Sequence, residues 1–159
     1  MKRMVMMVLG LGMLVLGGVG CGDNNQAPEE AQALWDRIQA EDYQNFARAP
    51  GYETTRPSAA PHGANVDIYV NEVVQNVLAA GEPIDAWPLG SLIVKDGFNT
   101  DGELEIVAVM DKRESGWFYA EWIGLDNTDA DYSGQPAVCV NCHASGADEV
   151  RAFGFPGGE

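Results

Sequence analysis

Basic residues are scarce in this chain. It carries 9 lysines and arginines against 24 aspartates and glutamates, a formal net charge of −15 over 159 residues. No basic patch interleaved with aromatics occurs, so nucleic acid and anionic lipid surfaces are excluded as partners on electrostatic grounds. Cysteine is scarce too: Cys21, Cys139 and Cys142 are all there are. Three thiols do not make a disulfide framework, and no second C-x-x-C is present to complete a zinc site. Only two histidines occur, His62 and His143. Internal repeats and low-complexity runs are lacking, and the length has room for one domain.

The one long apolar run is N-terminal. "MKRMVMMVLGLGMLVLGGVGC" has a basic start at Lys2 and Arg3, an apolar stretch from Met4 to about Val19, then small residues before Cys21. This is the pattern of a secretory signal peptide over residues 1–20, too short and glycine-rich for a good membrane span. A cysteine in that place reads as a lipidation site, with Cys21 as lipid anchor and mature N-terminus. The alternative is an ordinary signal peptide cut nearby. Without Lys2 and Arg3 the chain has 7 basic and 24 acidic residues, a net of −17. Such a surface suits a basic redox partner, or serves solubility alone.

Residues 21–30 are polar and read as a tether, leaving 31–159 for the folded domain. Ala33, Leu34, Trp35 and Ile38 predict a short amphipathic helix over 31–41, with Pro28 and two glutamates at its start. "RAPGYETTRPSAAPHG" is dense in turn formers and predicts an irregular connection. Strands are predicted over Val66–Val70, Ser91–Lys95, Glu103–Asp111 and Trp117–Ile123, with a short helix after the first. Short links between three or four neighbouring strands favour an antiparallel sheet. The expected fold is therefore α+β: mainly antiparallel β-sheet, a few short helices, and a C-terminal C-x-x-C-H segment.

That segment, "AVCVNCHASGAD", holds Cys139, Cys142 and His143 in the attachment signature of a c-type haem. Both thiols add across haem vinyl groups and the imidazole binds iron, so one covalent haem c is the expected cofactor. A redox-active disulfide is the competing reading, but thioredoxin-like disulfides follow a strand in a βαβ unit, which this pattern is not. For the other side of the iron, His62 and Met110 are the available sixth ligands, as an electron carrier would need. Otherwise the position is open, or capped by Phe98, Trp117, Phe118 or Tyr119.

The segments "VDIYVN", "PLGSLIVKDG", "LEIVAVMDKR…GWFYAEW" and "CVNCHASGADEV", spanning about residues 60–156, resemble the cytochrome P-460 family and its relatives, the cytochromes c′-beta. The resemblance implies an antiparallel β fold with packed helices, commonly a homodimer, around a five-coordinate high-spin haem c. P-460 types oxidise hydroxylamine or related nitrogen compounds; c′-beta types bind nitric oxide or carbon monoxide. Cys139 and Cys142 match the thioether cysteines, and His143 the proximal ligand. Lys95 matches the lysine that P-460 enzymes bond covalently to the haem edge. The enzymes' distal carboxylate, a proton acceptor, matches Ala108 here, and Asp111 and Glu105 are each three residues away, on the opposite face of the strand. Arg151 stands where the family usually has an aromatic.

Overall fold

A computed structural model describes residues 24–59, 61–125 and 129–157. The signal segment and Cys21 lie outside them. Among the described residues the architecture is α+β, with a seven-stranded, wholly antiparallel sheet and three short α-helices. The four predicted strands are its centre: β3 (Asn65–Val70), β4 (Leu92–Phe98), β5 (Leu104–Arg113) and β6 (Gly116–Ile123), side by side in that order. Three short strands were not expected. β1 (Ala47–Arg48) and β2 (Arg56–Pro57) share the outer edge of β3, and β7 (Tyr132–Gly134) extends β6. Strands of two or three residues carry no period of their own; the exposed edge of a longer strand recruits them. Pro57, lacking an N–H, sits where edge strands tolerate it.

The three helices are α1 (Pro28–Ala40), α2 (Glu72–Ala80) and α3 (Ala137–His143). The residues just before α1 fall within the segment read as a tether and contact β7. Asn25 bridges to Ser133, the Gln26 N–H donates to the Ser133 carbonyl at 3.0 Å, and the Ala27 N–H donates to Ser133 Oγ at 2.8 Å. Residues 24–30 are thus tied to β7 rather than loose. Among the described residues no helix is long and apolar enough to cross a membrane.

The sheet is covered on both faces, which explains why its strands read as nearly continuous apolar runs. One face carries Leu92, Val94, Val107, Val109, Phe118 and Trp122 against Leu34 and Ile38 of α1. The opposite face carries Ile68, Ile93, Met110, Trp117 and Tyr119 against α2, Trp87 and the tail residues Val150 and Phe153. The second face is incompletely filled by side chains, and there the candidate site lies.

A glycine contact positions the loop over that face. A Cβ on Gly97 would lie 2.2 Å from the His62 carbonyl oxygen, and one on Gly63, at φ +104°, would lie 2.8 Å from Gly97 Cα. Backbone therefore packs directly on backbone, held by the Ala64 N–H donating to the Phe98 carbonyl at 2.8 Å. Gly97→Ala is expected to destabilise the protein by about 1–3 kcal/mol through overpacking, measured by urea unfolding; an unchanged midpoint would show that the His62 loop is not held there.

Candidate functional site

Antiparallel register aligns one row of side chains across the second face. Ile68 pairs with Lys95, Lys95 with Ala108, Ala108 with Glu121, and Glu121 with Tyr132. Residues directly opposite one another in a sheet point to the same side. Lys95, Ala108 and Glu121 therefore share a wall. Next to them Met110 and Tyr119 form part of a neighbouring row. This wall, the loop carrying His62, α3 and the segment Val150–Ala152 enclose a cavity of about 480 Å³. That falls within the ~300–1,000 Å³ of small-molecule and cofactor sites.

Helix α3 brings the C-x-x-C-H residues to the same cavity. Positions three and four apart on a helix share a face, so Cys139, Cys142 and His143 all line it. Both thiols are free, Cys139 half-buried and Cys142 exposed. Burial, with the Glu121 charge adding, pushes the Cys139 thiol up to about 11. The Arg151 guanidinium donates to Cys142 Sγ at 3.2 Å, so Arg151 stands beside the C-x-x-C-H residues.

The His143 ring is held at one nitrogen. Nδ1 lies 2.9 Å from the Glu149 carbonyl oxygen, which only an N–H at that nitrogen satisfies, leaving Nε2 with its lone pair available. Burial lowers the His143 pKa, against a smaller opposing effect of that hydrogen bond. A neutral imidazole with a free Nε2 is the form that binds a metal. Among the described residues no three His, Cys, Asp or Glu side chains converge as a metal-ion cage requires. Two unpaired thiols one helical turn apart, the adjacent free imidazole nitrogen and a roomy cavity do fit a haem.

Lys95 and Glu121 are the charged groups of the wall. Burial lowers the Lys95 pKa, offset in part by the Glu121 carboxylate and reinforced by Arg151. Asp96, its chain neighbour, points to the other face, where Tyr43 Oη and the Gln44 amide donate to it at 2.8 and 2.9 Å. His62 Nδ1 lies 3.1 Å from Glu121 Oε2, but off the line of a hydrogen bond, and has no other partner among the described residues. The His62 and His143 rings, both lining the cavity, stand edge to face with 6.4 Å between centroids.

Of the residues singled out in the sequence, Lys95, His62, Met110, Tyr119, Cys139, Cys142 and His143 meet at this cavity. Phe118 does not; it packs under α1. Trp117 spends its indole N–H on the Asp148 carbonyl at 2.7 Å, and Phe98 is not a lining residue. Glu105 and Asp111 also stay away; Asp111 is paired with Arg37 and Arg113. Glu121, not singled out in the sequence, places a carboxylate on the cavity wall one strand over from Ala108. Its signal lay in the hairpin: a two-residue loop at Glu114–Ser115 pairs Arg113 with Gly116 and, counting back, Ala108 with Glu121. No family model, curated protein or solved structure matches this chain.

Proposed function

We propose that this protein is an exported c-type cytochrome of the P-460 and c′-beta kind, holding one haem whose open coordination position takes small nitrogen-containing or gaseous ligands, with oxidation of hydroxylamine as its reaction. The observation that carries this reading is the shared cavity of the C-x-x-C-H residues, Lys95 and Glu121. A half-buried ammonium and a buried carboxylate are costly to desolvate. A carrier that only relays electrons has no use for them, whereas chemistry that moves protons does.

Cys139 and Cys142 would hold the macrocycle by thioethers, His143 Nε2 would hold the iron, and Lys95 Nζ stands at the wall to bond the macrocycle edge. When bound, haem supplies an iron that changes oxidation state and binds small ligands. Glu121 accepts protons given up by a nitrogen ligand, and the neighbouring His62 ring stabilises or receives the charge. The neutral form of Lys95, favoured by burial, is the nucleophilic one. The acidic surface would recruit a basic redox partner, Cys21 would anchor the chain to a membrane on the periplasmic side, and the assembly would be a homodimer as in the family it resembles.

A second reading has its own observation. Two imidazoles bound to one metal at about 2.0–2.1 Å each would have centroids roughly 6 to 6.5 Å apart, and His62 and His143 stand at 6.4 Å. His62 as sixth ligand would make the protein an electron carrier. Glu121 argues against it, because a coordinating His62 leaves that carboxylate without work.

Intact-mass measurement tests the attachment. Produced with a c-type haem maturation system, the mature chain is expected to carry one haem. Thioethers alone leave the summed mass unchanged, since thiol addition loses no atom; a further Lys95 bond, replacing one N–H and one macrocycle C–H at the expense of a two-electron oxidant such as peroxide, which is reduced to water, lowers it by two hydrogen atoms. A bare chain would overturn the proposal.

A further inference from the structure

The backbone is most strained just after the C-x-x-C-H motif. Asp148 and Glu149 are consecutive non-glycine residues in the left-handed region, at φ +46° and +67°. Each is unfavourable for an L-residue, and such outliers persist only where their surroundings over-determine them. Here the surroundings do. Lys112 Nζ donates to both Asp148 carboxylate oxygens at 2.9 and 2.8 Å, and the Trp87 N–H donates to one of them at 2.9 Å. The Trp117 indole donates to the Asp148 carbonyl at 2.7 Å, and the Trp87 indole to the Ala147 carbonyl at 3.1 Å. Tyr119 Oη donates to the Glu149 carboxylate. Gly146 is required as well, because a Cβ there would lie 2.5 Å from the Val150 carbonyl.

Two fully buried tryptophans, a lysine and a tyrosine from the sheet face and its flank thus converge on a turn of four residues. The turn has one outward product: it aims the Glu149 carbonyl at His143 Nδ1, 2.9 Å away. We infer that residues 147–150 form a clamp that fixes the tautomer and ring orientation of His143. Lys112 and Tyr119 are its positioning residues, acting through Asp148 and Glu149. The inference rests on the haem reading, since it concerns His143 as an iron ligand. A firm acceptor at Nδ1 makes the imidazole a stronger electron donor, which favours the oxidised iron and lowers the potential.

Lys112 is the cleaner probe, because it does not line the cavity. In the haem-loaded Lys112→Met protein the iron–histidine stretch in the reduced state is expected to move to lower frequency, and the midpoint potential to rise. The sign is diagnostic. Removing a positive charge, and so leaving Asp148 uncompensated, would by itself lower the potential. Tyr119→Phe, which removes one oxygen, should shift both readouts the same way as Lys112→Met. Lys112→Arg, whose guanidinium can pair bidentately with Asp148, should restore both. Variants that carry haem but keep the wild-type stretch and potential would overturn the clamp, whatever their melting temperatures. A wild-type chain without haem would instead sink the reading beneath it, and the two failures are told apart by haem content.

Discussion

Glu121→Gln is expected to lower hydroxylamine oxidation by about 10²–10⁴-fold, the range contributed by a positioned general base. Glutamine keeps the size and hydrogen-bonding capacity of the side chain but cannot accept a proton into a carboxylate. Haem content and carbon monoxide binding should stay at wild-type levels, because the cysteines, His143 and the cavity walls are untouched. Glu121 suits the role by placement. It is buried, it faces the same cavity as His143, and its cross-strand neighbour is Ala108, which leaves room beside it. Turnover undiminished in the variant would remove Glu121 from the chemistry and place the proton acceptor elsewhere in the cavity.

Cys139→Ala with Cys142→Ala is expected to abolish covalent haem altogether, so that a denaturing gel stained for haem shows none at the protein band. Each single variant should keep one thioether and a fainter band. The two thiols lie one helical turn apart on the face of α3 that lines the cavity, so neither replaces the other. Haem persisting through denaturation in the double variant would place attachment elsewhere, and Lys95 would be the residue to examine.

Much of this was legible in the chain and some was not, for identifiable reasons. The four central strands announced themselves because long apolar runs between turn signals have few other solutions. Strand β5 extends to Arg113 instead of Asp111, and β4 to Phe98 instead of Lys95, because pairing with neighbours carries a strand past the end of its own apolar pattern. Strands β1, β2 and β7 have no pattern to show and exist through their neighbours. Cys139, Cys142 and His143 were visible because C-x-x-C-H is local. Glu121 was not, because its meaning lies in a register between two strands; taken alone, a glutamate between Ala120 and Trp122 looks like a solvated position. The clamp is still less visible, since Trp87, Lys112 and Asp148 are distant in sequence and meet only when the sheet and tail are assembled.

The most direct test of the central claim is the absorption spectrum of the reduced, haem-loaded protein before and after carbon monoxide. A broad high-spin spectrum that shifts with the gas is predicted, because the proposal gives the iron His143 as its protein ligand and leaves a position open to small molecules. A Soret band displaced far to the red would add the Lys95 bond. Sharp low-spin bands indifferent to carbon monoxide would contradict the account, give the iron a sixth protein ligand in His62 or Met110, and make the protein an electron carrier.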